Sequence, residues 1–331
     1  MSVDEVSDQL VGAFQNPALL LGIPLALAGA VCMSFGAQYQ HRGVTKVERL
    51  SGANGAAGLS ARQVKGLLTR PSWLIGTLLL GLAIIFQLAA LAVAPLIVVQ
   101  PLGAIALVIT TLLNARVSGH SPTRKSVTSI IACVGGIFLF VFLAAIFATE
   151  KDVTTQNLFV ILAALVLVIV VLGACWLILR HRMRALFYVI GAGVLYGFVA
   201  TLAKAIIKRV QAENFDWLTL ICVVALIAAT VVGAYFVQTA YSSGPPDLVI
   251  AGLTVVDPLV AVIIGIVVLG EAAAAPAWVV VSFVVIGAVA VWGVVGLARY
   301  HPQVLSDSQD LGITRGSNGA PGSSTSSENG Q

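Results

Sequence analysis

An all-α, membrane-spanning fold is the architecture this sequence predicts, and three observations lead to it. Nine runs of mostly apolar residues are each long enough to cross a hydrocarbon core of ~30 Å, which takes about 20 helical residues. Of the 331 residues 59% are hydrophobic and only 10% charged, too few charges to cover a water-facing surface. The runs are also too long and too uniformly apolar for barrel strands, so helices must satisfy the backbone in hydrocarbon.

Taken in order, the first span, 18–39, follows Asp4, Glu5 and Asp8, where a cleavable leader would be basic, so it is expected to stay in the mature chain. The second and third, 73–93 and 96–113, are separated by Ala94-Pro95, a proline placed to open a helix. The fourth and fifth cover 126–147 and 159–179. The sixth, 187–207, contains Gly193 and Gly197, a small-residue spacing suited to close helix contact. The seventh is 217–239, the eighth, 248–269, carries Asp257-Pro258, and the ninth is 278–298.

Fourteen of the 18 lysines and arginines fall in alternate loops on one side, and the other side holds Lys151, Lys204, Lys208 and Arg209 with an acidic N-terminal tail. The positive-inside rule then places the N-terminus outside and the C-terminus in the cytoplasm. Lys208-Arg209 is the pair that fits this assignment least well. The net charge of +4 is spread through short loops without a contiguous patch, so no nucleic-acid partner is expected. Cys32, Cys133, Cys175 and Cys222 lie in four different spans with no metal-ligand spacing and read as apolar filler. No Walker-type loop or HExxH motif occurs, and no nucleophile–base constellation suggests an enzyme; no cofactor is expected.

An internal repeat organises the chain. Ala90 to Pro95 matches Ala240 to Pro245 at an offset of 150, Phe86 matches Phe236, and Phe35-Gly36-Ala37 resembles Phe198-Val199-Ala200. Spans one to four thereby pair with six to nine. Corresponding helices are five apart, an odd number, so each crosses the bilayer opposite to its partner; inverted repeats of this kind suit alternating access to a central site. The expected organisation is an external tail (1–17), a first transmembrane repeat (18–147) with a cytoplasmic loop at 41–71, a connecting fifth helix with its flanks (148–184), a second repeat (185–300) and a disordered cytoplasmic tail (301–331).

Asp257 is the one carboxylate deep inside a span, and ionised burial costs at least ~2.5 kcal/mol, so it should face a cavity or partner. A protonatable or cation-binding role and a neutral packing role are both open. Pro258 removes a backbone donor beside it, and Pro101 does the same in the third span, so both are expected helix breaks. Lys204 either snorkels to the headgroups or serves as a charge partner, for Asp257 or for an anionic substrate. Gln87, Gln100, Gln238, Tyr196 and Thr201 offer hydrogen bonds to a polar solute or to neighbouring helices. Glu271, ending the eighth span, reads as an exposed helix-end charge.

The run at 94–104 and the pattern Ala240, Gly244-Pro245, Pro258, Leu269-Gly270-Glu271 resemble the drug/metabolite transporter superfamily over residues 18 to 298. The second half looks like an EamA-type repeat; the first-half run and the nine-span arrangement look like the NIPA-type magnesium transporters. The resemblance implies alternating access between four-helix repeats, with small solutes carried in one branch and magnesium in the other. The ending Asn114-Ala115-Arg116 of the third span departs from the family's Leu-Gly-Glu-like ending, and a cluster of carboxylates is missing.

The expected function is a secondary transporter of small polar or amphipathic solutes in the plasma membrane. It would be proton- or cation-coupled through Asp257, with lipid and a small molecule or ion as partners and a homo-oligomer left open. Magnesium transport, with Asp257 as the metal ligand, and a non-transporting scaffold for lipid or envelope assembly are the alternatives.

Overall fold

The structure, a computed structural model, describes residues 15–51, 70–118, 124–179, 185–243, 246–273 and 275–299. The described residues are all-helical, and nine helical segments among them are long and apolar enough to cross a membrane. In chain order the helices are α1 (Pro17–Ser51), α2 (Pro71–Val93), α3 (Leu96–Gly103), α4 (Ile105–Ser118), α5 (Arg124–Phe147), α6 (Thr155–Leu179), α7 (Ala185–Gln211), α8 (Trp217–Ser243), α9 (Pro246–Val267) and α10 (Ala277–Arg299).

Their starts follow from local chemistry. Pro71 and Pro246 occupy first helical positions, where the missing N–H has no intrahelical role anyway. Asn16, Thr154 and Asp216 cap α1, α6 and α8, each side-chain oxygen accepting from a backbone N–H two or three residues on: Ala18, Asn157 and Thr219, at 3.0, 3.2 and 3.0 Å.

Two boundaries differ from the expectation. α1 runs on to Ser51, so 41–51 is helical rather than loop. Hydropathy marks where the apolar environment ends, whereas a formed helix propagates one hydrogen bond per residue into polar sequence that lacks proline. The third span is two helices, α3 and α4, joined at Ala104 three residues after Pro101; there the Ala104 N–H reaches back to the Pro101 carbonyl at 3.2 Å. α9, in contrast, continues through Pro258 without ending, because proline's φ is compatible with a helix and only one donor is lost. The rest of the expected 41–71 loop, the tail at 301–331 and most of the N-terminal tail lie outside the described residues.

α1 packs along α2, α7 along both α8 and α9, and α5 along α10. The close contact expected at Gly193 and Gly197 is made, and its partner is α9. A methyl group added at either would come within 2.6 Å of Val256 Cβ or 2.7 Å of Val260 Cβ, so only hydrogen lets the two backbones approach this far. α3–α4 and α7 are the most enclosed spans and α6 the least. Leu96, Ile97, Val98 and Val99 at the start of α3 are wholly buried, so the tip of this short helix is enclosed by protein on all sides.

Candidate functional site

Two polar centres lie on the α3–α7–α9 axis. The first begins with a backbone problem. Ala94 is extended, as a residue before proline prefers, which takes its carbonyl out of any helix. Pro95, at the head of α3, has no side chain that can cap, leaving the N–H groups of Leu96 and Ile97 without helical partners in the protein interior.

Both deficits are met from far along the chain. Glu271 accepts from Leu96 N–H through Oε1 and from Ile97 N–H through Oε2, each at 2.8 Å. A carboxylate at a helix N-terminus also faces the positive end of the helix dipole. The turn after α9 delivers it: Gly270 has φ +68°, a left-handed conformation that glycine adopts freely, and the Glu271 N–H bonds back to the Gly265 carbonyl at 3.0 Å. Gly265 leaves the room required, since a Cβ there would stand 2.9 Å from Glu271 Oε2.

Lys204 of α7 donates to the stranded Ala94 carbonyl at 2.8 Å, with Glu271 Oε1 and Glu150 Oε1 at 3.1 and 3.3 Å. Three oxygens thus surround an ammonium with three protons to give. Lys204 and Glu271 are each 1% exposed, so neither charge is solvated by bulk water. Glu150, on the loop after α5, also pairs with Lys208 at 2.9 Å, and the Thr149 N–H bonds the Glu271 carbonyl at 2.8 Å. Two cations and two anions therefore close a neutral network at one end of the bundle.

This placement corrects one reading and decides another. Glu271 is not an exposed helix-end charge; the left-handed turn at Gly270 folds it inward. Lys204 does not reach outward, and its partners are Glu271 and Glu150 rather than Asp257. The sequence signal for Glu271 was the adjacent Gly270, a residue placed for a left-handed turn, although nothing local specifies a partner 175 positions away.

The second centre lies further along α7 and α9. Asp257 sits within α9 against the Gly193–Gly197 face of α7, roughly 10 Å along that helix from Lys204 at 1.5 Å per residue. Among the described residues its Oδ1 is buried without a hydrogen-bond partner. Tyr196 lies within electrostatic reach of it and rests its ring on Gly233 of α8. Thr201 is buried and spends its hydroxyl on the Gly197 carbonyl at 2.9 Å.

The remaining candidates are dispersed. Gln100 is buried in α3, one turn from the Glu271 carboxylate. Gln87 is half-buried on α2, where its backbone faces Gly29 of α1. Gln238 is exposed on α8, opposite the buried stripe of Ala229, Gly233, Phe236 and Ala240. Among the described residues no three His, Cys, Asp or Glu side chains cluster as a metal site, so a magnesium ion at Asp257 would have a single charged ligand.

The chain is similar to an uncharacterized protein of Corynebacterium glutamicum, 25% identical over 256 residues that span 76% of this chain and 86% of the relative. No family model matches the chain, and no solved structure matches it.

Proposed function

We propose that this protein is a secondary transporter of small polar or amphipathic solutes, working by alternating access and coupled to protons or another cation at Asp257. The observation that carries the reading is the buried, unpartnered carboxylate oxygen in the middle of α9. A carboxylate serving only to pack helices would be hydrogen-bonded to them, because an unmet buried acceptor costs about 1–3 kcal/mol or more. An oxygen kept free is available to a proton or a cation that comes and goes.

The packing supports an inverted repeat. α1 with α2 corresponds to α7 with α8, α1 with α3–α4 corresponds to α7 with α9, and α5 against α10 pairs the last helix of each half. We place the N-terminus outside the plasma membrane and the Lys204 network at the outer end. Lys208 and Arg209, the pair that fits this orientation least well, are each paired with a carboxylate, Glu150 and Asp216. Membership of the drug/metabolite transporter superfamily belongs to the same proposal and rests on the sequence resemblance.

Proteoliposomes given separate proton and magnesium jumps, with native protein and Asp257→Asn side by side, test the reading. Proton-driven charge movement that requires an added solute and vanishes in Asp257→Asn is the expected result. A current evoked by magnesium alone and lost in that variant would move the assignment to the NIPA-like reading. Full activity in Asp257→Asn would remove Asp257 from the mechanism.

A further inference from the structure

Four separate stretches meet at the Lys204 network: the α2–α3 joint, the loop after α5, α7 and the turn between α9 and α10. We infer that the Glu271–Lys204–Glu150 network is a latch that holds this end of the bundle closed, with α3 as the element it releases. The inference rests on the alternating-access reading for its place in a cycle, though the latch itself stands on geometry.

Three features make it a latch rather than a general contact. Among the described residues Glu271 hydrogen-bonds α3 through the N–H groups of Leu96 and Ile97, at the tip of an eight-residue helix whose other end passes into α4 through a tightened turn at Ala104. Movement of the α3 tip away from the turn that carries Glu271 has to break both hydrogen bonds together. The cation that replaces water around this carboxylate is Lys204 of α7, itself held by Glu150 of the loop after α5, so these parts cannot separate from α3 without uncovering a buried charge. Lys208 and Glu150 form the outer rim, with side chains 20% and 25% exposed, and give water a way to the buried pair. An arrangement whose bonds are all made or all lost has two states, as a gate requires.

The test uses the full chain in lipid nanodiscs, where both faces are accessible. Cysteine is introduced at Ala200, half-buried and one turn inward from Lys204, or at Leu253, nearer the other end of α9. Each is reacted with N-ethylmaleimide, a small neutral reagent, and labelling is read on the peptide carrying the new cysteine, so that Cys32, Cys133, Cys175 and Cys222 do not interfere.

Glu271→Gln is expected to raise the labelling rate at position 200 by tenfold or more. Glu150→Gln, which loosens only the rim, should raise it by a smaller factor and serves as the deciding variant if Glu271→Gln does not fold. A rate at 253 that falls as the rate at 200 rises supports both the latch and alternating access. A rise at 200 with 253 unchanged supports the latch and counts against the reciprocal motion the transporter reading needs. An unchanged rate at 200 in the folded variants, or an equal rise at both positions from general loosening, overturns the latch.

Discussion

Replacing Gly197 by alanine should separate α7 from α9 and disturb Asp257 with it. The new methyl would stand 2.7 Å from Val260 Cβ, 2.8 Å from its Cγ1 and 3.0 Å from the Asp257 carbonyl. Neither a Cβ nor a carbonyl can swing aside, so the backbones must part by roughly 0.7–1 Å to restore contact. Overpacking of this kind costs about 1–3 kcal/mol. Gly81→Ala is the control: its methyl would meet nothing within 4 Å, and alanine's better helix propensity is worth up to about 1 kcal/mol in its favour. Graded SDS unfolding in mixed micelles compares the two; under the proposed transporter reading, proton-driven flux should also fall as Asp257 is displaced. If Gly197→Ala matched the native protein, or Gly81→Ala lost as much, close packing along this face would not be what holds α7 to α9.

Other substitutions probe the charges. Lys204→Met leaves Glu271 and the Ala94 carbonyl without their cation and should cost about 3–5 kcal/mol, whereas Lys208→Met at the rim should change stability by about 0–1 kcal/mol in the same unfolding assay. Asp257→Asn should insert normally and unfold no earlier than the native protein, because it removes a carboxylate that has no hydrogen bond at Oδ1; early unfolding would mean the carboxylate is structural. Asp216, outside the spans, has its carboxyl held below the ordinary value of 3.8 first by the Thr219 N–H, then by the Thr219 hydroxyl and Arg209. Its folded-state value is depressed, so its contribution is complete above that ordinary value and fades as pH falls through the lower one. The gap in unfolding midpoint between native protein and Asp216→Asn should therefore stay constant from neutral pH to about 5 and shrink progressively in stronger acid.

Legible in the sequence were the helical class, nine runs long and apolar enough to span a membrane, a close helix contact at Gly193 and Gly197, an interruption near Pro101 and the place of Asp257 well inside a run. Each of these follows from a local property: the length of an apolar run, a missing side chain, a missing N–H, or a position counted from a helix end. Tertiary structure alone decided that Glu271 caps α3, that Lys204 answers Glu271 and Glu150 rather than Asp257, and that Gln238 faces outward while Gln100 is buried. Those outcomes depend on which helices come side by side. A glutamate at the end of an apolar run looks the same whether it meets water or folds inward onto two backbone N–H groups. What separates the cases is the free energy of burying a charge, and only the surrounding oxygens and donors, brought from distant parts of the chain, settle that balance.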